Sequence, residues 1–281
     1  MVGWRGTAAR AAVVLILLCQ SACTFGVGAF FVRESGSAKV YMPGARAFVH
    51  RSGSREDLIL QVGFAGSAED FGWVVPVPTR PGVEIADPAI FDELRRIFNP
   101  LIIPGKRAAT PAERKPAAEQ PKPVPIQEIT VLSPDQPGAF ARWLETNHFE
   151  APPEAHELIR GYVKRRWYLV AVHIRTSPAP EARWIRPLWI AFQSPRAAFP
   201  LLLTSLSTKP ILTQLYVAAD VIVKAPGFLE IETTGSPLRT KYRLGEFPLF
   251  FHIVTRDRKL TELRATLDPK KIDSDIVISP K

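Results

Sequence analysis

Cysteine is nearly absent from this chain. Only Cys19 and Cys23 occur in 281 residues, both within the first 23. The body therefore forms no internal disulfide, holds no thiolate metal site and has no cysteine nucleophile. Long apolar runs are also missing. The run Ala11–Leu18 is eight residues, whereas a membrane-spanning helix needs about 20, and nothing after it comes closer. The five histidines lack ligand spacing: His156-Glu157 begins a zinc-protease pattern, but the position four residues after His156 is Arg160. No Gly-x-Ser-x-Gly elbow, Ser-x-x-Lys pair or phosphate-cradling glycine loop is present. No cofactor or metal is expected, and no catalytic residue can be assigned.

The first 22 residues have a clear layout. Arg5 and Arg10 precede the apolar run, and Gln20-Ser21-Ala22 then leads to Cys23. Positive, apolar and small segments in that order make a secretory signal. The charges stay in the cytoplasm while the apolar run enters the membrane and presents the small residues for cleavage. The chain is thus expected to work in the periplasm or cell envelope. Two processing routes remain open. Cleavage before Cys23 would make that cysteine a lipid carrier, although Gln20 stands where a lipoprotein signal usually has Leu. Ordinary cleavage would follow Ala22 or Ala29. Cys23 is the candidate lipidation residue and the only route to a membrane. A diacyl group, at about 0.8 kcal/mol per buried methylene, would anchor it firmly.

The net charge is +9. The signal holds +2 of it and the segment 104–125 holds +3, which leaves +4 on the remaining body. That excess is ordinary, and no nucleic-acid partner is expected. The segment 104–125 carries Pro104, Pro111, Pro116, Pro121, Pro123 and Pro125 among Ala, Lys, Arg, Glu and Gln. With so little apolar side chain it is expected to be an extended surface loop or linker.

Outside that segment, strand patterns dominate. Lys39–Arg51 and Asp57–Phe64 alternate around the turn at 51–54, and Phe71–Pro78 is a continuous apolar run. Asp87-Pro88 opens a helix with Ile90, Phe91, Leu94, Ile97 and Phe98 on one face, closed at Asn99-Pro100. Ile126–Leu132 is a strand. Gln136–Asn147 and Pro153–Arg166 are helices with stripes at Phe140, Trp143, Leu144 and at Ala155, Leu158, Ile159, Tyr162, Val163. Strands are then expected at 167–175, 184–193, 198–205, 212–223, 248–255, 259–267 and 276–279. Trp143, Trp167, Trp184 and Trp189 are expected in the core. The result is an α+β body: a mixed, largely antiparallel sheet with about three helices.

Glu69-Asp70-Phe71-Gly72-Trp73-Val74-Val75-Pro76-Val77-Pro78, continuing through Val83–Pro88 and Phe91–Leu94, resembles the hallmark of a bacterial family, domain of unknown function 2330. Supporting stretches are Trp143–Glu145, Pro152–Tyr162, Pro187–Phe192 with Phe199–Leu201, Leu260–Leu267 and Asp275–Val277. The resemblance implies an exported envelope protein with one domain over 23–281, and it assigns no site residue. From the residues themselves, Glu69 and Asp70 are adjacent in a strand, so their carboxyls point to opposite faces and do not form a glycosidase pair. The expected function is binding of an envelope protein or ligand without catalysis. The alternative is an envelope hydrolase whose site assembles from residues distant in sequence.

Overall fold

The computed structural model describes residues 27–33, 39–99, 125–195, 198–199, 201–234, 242 and 244–281. Residues 1–22, read above as an export signal, Cys23 and all of 104–125 but Pro125 lie outside them. Before that segment come β1 (Ala29–Val32), β2 (Val40–Tyr41), β3 (Gly44–Ser52), β4 (Arg55–Gly66), β5 (Asp70–Val77), β6 (Gly82–Ile85) and α1 (Ala89–Phe98). After it come β7 (Ile126–Leu132), α2 (Ala139–Asn147), α3 (Pro153–Lys164), β8 (Tyr168–Arg175), β9 (Ala179–Trp184) and β10 (Leu188–Gln193). The chain continues with β11 (Ala198–Phe199), a 3-10 turn (Leu202–Leu206), β12 (Ile211–Ala219), β13 (Val223–Lys224) and β14 (Leu229–Thr234). It closes with α4 (Pro248–Ile253), β15 (Lys259–Leu267), β16 (Ile276–Val277) and β17 (Ser279–Pro280).

Two main sheets result. The larger runs β14-β15-β12-β3-β4-β10-β6, with β2 and β9 pairing the far end of β4. The smaller runs β1-β5-β8-β7. Pairing is antiparallel throughout the main sheets except between β3 and β12. This is the α+β, largely antiparallel body expected, with four α-helices among the described residues. Strands on both sides of 104–125 pair with one another in both sheets.

Alternation along the strands separates the core into three layers. Between the sheets, Leu58, Leu60 and Val62 of β4 meet Phe71, Trp73 and Val75 of β5 and Val170 and Val172 of β8. On the outer face of the large sheet, Phe48, Ile59 and Tyr216 pack under α1 and α4. On the outer face of the small sheet, Val74, Leu169 and Ala171 pack under α2 and α3. Each sheet is buried on both faces, which is why β4 and β5 are almost wholly buried strands.

Local signals placed several elements well. Asp87 Oδ1 accepts from the N–H of Ala89, the first residue of α1, at 2.9 Å, with Pro88 between them at the N-cap position. Gly53, at φ +63°, closes the β3–β4 hairpin. Pro76 sits inside β5, past the end of β1, where the strand has a partner on one side only.

Other local readings are corrected. Of residues 248–255, expected as a strand, Pro248–Ile253 form helix α4 and 254–255 lie past its end. Residues 198–205 give a two-residue strand and a 3-10 turn. The strand at 184–193 is two strands broken at 185–187. Trp184 is 45% exposed rather than core, and its ring stacks 4.8 Å from the Arg46 guanidinium carbon.

Candidate functional site

Helices α2 and α3 build the site. Gly138 precedes α2 at φ +71°, a left-handed turn that glycine adopts without strain. Phe140, Trp143 and Leu144 then fall on one face, and Trp143 lies flat enough on the small sheet that a Cβ on Gly72 would be 2.6 Å from its ring. Pro153 starts α3 at a position where its missing N–H costs nothing. Ala155, Ile159 and Tyr162 face the sheet. Tyr162 donates to Asp275 Oδ1 at 2.9 Å, and the same oxygen accepts from Leu202 N at 2.7 Å. This ties α3 to the C-terminal segment. Burial, the largest influence, raises the Asp275 pKa, and those hydrogen bonds together with Arg165 offset it only in part.

Between the two helices lies a cavity of about 720 Å³ walled by Leu132, Phe140, Ile159, Val163, Trp167 and Leu169. A second cavity of about 620 Å³ is walled by Val32, Leu144, Phe149 and Pro152. Ala141, Ala151 and His156 line both, so the two adjoin across the α2–α3 cleft and are called together the trough, with two alanines and His156 at its midpoint. The His156 ring packs edge-on against Phe140, 5.8 Å away. The two ends differ in charge. Arg160 and Glu157 line the Trp167 end, 3.6 Å from each other. Glu145 and Glu150 line the Phe149 end.

A second cluster lies on the same face of the small sheet. His173 Nε2 is 2.7 Å from Asp70 Oδ1, and Arg33 is 2.6 Å from Asp70 Oδ2. His173 borders a groove of about 470 Å³ that also holds Glu128, Thr130, Arg142, Thr146 and Asn147. This pair, 103 residues apart, has a general-base geometry. No serine borders that groove among the described residues.

Charges buried at the β3–β4 hairpin end of the large sheet fall on opposite faces. Asp57 accepts from Arg55 at 2.8 Å and from the Trp189 indole at 3.1 Å, while His50 Nδ1 stands 3.4 Å away, an ion-pair distance rather than a formed hydrogen bond. Burial would raise the Asp57 pKa, but these contacts outweigh it and hold the carboxyl down at about 2. Glu56 points between the sheets. It is fully buried, neither carboxyl oxygen has a hydrogen-bond partner, and Arg51 is 3.7 Å away. Desolvation pushes its pKa well above the ordinary carboxylate range despite Arg51. Neither group lines the trough.

Of the residues singled out from sequence, Cys23 lies outside the described residues. Glu69 and Asp70 do not converge; Asp70 instead meets His173, a partner that no spacing announces. His148 ends α2 in a left-handed conformation at φ +57°. His156 and Arg160, weighed as a broken zinc motif, line the trough. No three His, Cys, Asp or Glu side chains among the described residues are grouped to hold a metal ion.

Fold and site together define a four-layer α/β/β/α body with an apolar trough under one helical layer. The chain belongs to a bacterial family described as an uncharacterized protein conserved in bacteria, domain of unknown function 2330, whose profile matches residues 19–226. No curated protein matches it. Among solved structures, one titled as the crystal structure of baculovirus P35 aligns at TM-score 0.41 and 11% identity, over 87% of this chain and 98% of that one. A superposition that loose defines no common fold.

Proposed function

We propose that this is an exported cell-envelope binding protein that takes an apolar small molecule in the α2–α3 trough. The observation that carries this reading is the trough itself: it falls in the size range of small-molecule sites, about 300–1,000 Å³, with apolar walls and few polar groups. The N-terminal layout supports export, and Cys23 supplies the anchor in the lipidated form. The test of binding is titration with Nile red, a neutral dye that fluoresces in apolar surroundings. Saturable one-to-one binding is expected for the wild type and loss of it for Ala141→Trp, which fills the midpoint from an exposed position. Equal binding by both proteins would refute the site. For the anchor, a metabolic lipid label should appear on the wild type and vanish in Cys23→Ser; an unlabelled wild type would leave a soluble exported protein.

A second reading, an envelope hydrolase, draws on the Asp70–His173 pair. It requires that His173→Gln abolish an ester- or amide-cleaving activity of the purified protein while leaving Nile red binding intact. Absence of any such activity in the wild type would remove it.

A further inference from the structure

We infer that the trough's ligand is a single-chain amphiphile with an anionic head, its linear hydrocarbon tail crossing the α2–α3 cleft and its head at Arg160. This rests on the binding reading above and specifies its ligand.

Shape and wall chemistry select the tail. The two cavities share only Ala141, Ala151 and His156 in their linings, so an occupant of both crosses that border and is narrow at its middle. An extended peptide has that shape, but its amide groups need hydrogen-bond partners. Most of the lining is helix or strand, from α2, α3, β1, β7 and β8, whose main-chain groups are largely paired within those elements. A peptide would bury unpaired amides there, whereas a hydrocarbon chain has none. A two-tailed lipid would leave its second chain in water, so the ligand has one chain.

Charge selects the head and its direction. Around the Trp167 end stand Arg160, which lines the cavity, Lys164 one helical turn further along α3, and Arg166 beside Trp167. Against them are Glu157, paired with Arg160, and Asp135, paired with Arg166. The cations exceed the anions there by one. The Phe149 end carries Glu145. A carboxylate is therefore attracted to the first end and repelled from the second.

The full-length protein, titrated with cis-parinaric acid and then with competitors below their micelle concentrations, tests this. Palmitate should displace the probe at lower concentration than hexadecan-1-ol, and hexadecylamine should be weakest. Arg160→Glu should raise the palmitate constant about fivefold, the size of an exposed ion-pair contact, and leave hexadecanol unchanged. Arg160 is 69% exposed in its side chain, so this variant should keep the fold, and an unchanged circular dichroism spectrum checks that. Equal displacement by all three, or preference for the amine, would overturn the head assignment. Nile red binding without parinarate binding would overturn the linear tail while the cavity reading stood. Loss of both probes from the wild type would defeat both.

Discussion

Gly72 lacks a side chain because the Trp143 ring occupies the space where one would go, with Phe149 3.1 Å from the same point. Gly72→Ala should destabilise the protein by about 1–3 kcal/mol through overpacking, read as a lower urea midpoint with an unchanged slope. Asp57 makes a second prediction. Its folded pKa of about 2 lies below the value of 3.8 for a free side chain, so its stabilising contribution is present above pH 3.8 and is lost as pH falls toward 2. The shift corresponds to about 2 kcal/mol. Thermal melts should therefore show a steeper loss of stability between pH 4 and pH 2 for wild type than for Asp57→Asn; parallel curves would remove Asp57 from the acid response. Little of this was legible in the sequence. The hallmark around Gly72 marked a special strand, but its reason lies 71 residues away at Trp143. Asp70 likewise gained meaning only through His173.

Elements whose signals are local matched expectation. α1, α2, α3, β5 and β7 were all legible, because their apolar periods and proline or aspartate starts act within a few residues. α4 was not. Pro248-Leu249-Phe250-Phe251-His252-Ile253 is a short apolar run compatible with either period. Its helical state is fixed from α1, where the buried Glu93 accepts from Leu249 N at 3.3 Å and Phe250 N at 2.8 Å. Removing that acceptor leaves helix-end donors unpaired in a buried layer. Glu93→Ala should cost roughly 1–3 kcal/mol, and hydrogen exchange should quicken at Phe250 before the large sheet opens. Unchanged protection at Phe250 would contradict the capping role. Trp184 shows the same limit from the other side. A tryptophan at a strand end suggested burial, yet Arg46 supplies a cationic face that lets it stay at the surface.

At the scale of the molecule, the α+β class and antiparallel character follow from strand patterns, but the layering does not. Sequence cannot show that β3 pairs in parallel with β12, 168 residues on, or that β5 pairs with β8, 91–105 residues on, to build a second sheet that covers the first. The trough was invisible for a related reason. Its walls read correctly as core stripes, and only the spacing of α2 from α3 leaves room between Phe140 and Val163. We propose this space as a ligand site with a defined direction. Its most direct test is a crystal soaked with 12-bromododecanoate and measured at the bromine edge. The predicted result is one anomalous peak inside the trough on the Phe149 side of Ala141, with the carboxylate at Arg160. A peak outside the α2–α3 cleft, or no peak in crystals that bind the acid in solution, would contradict it.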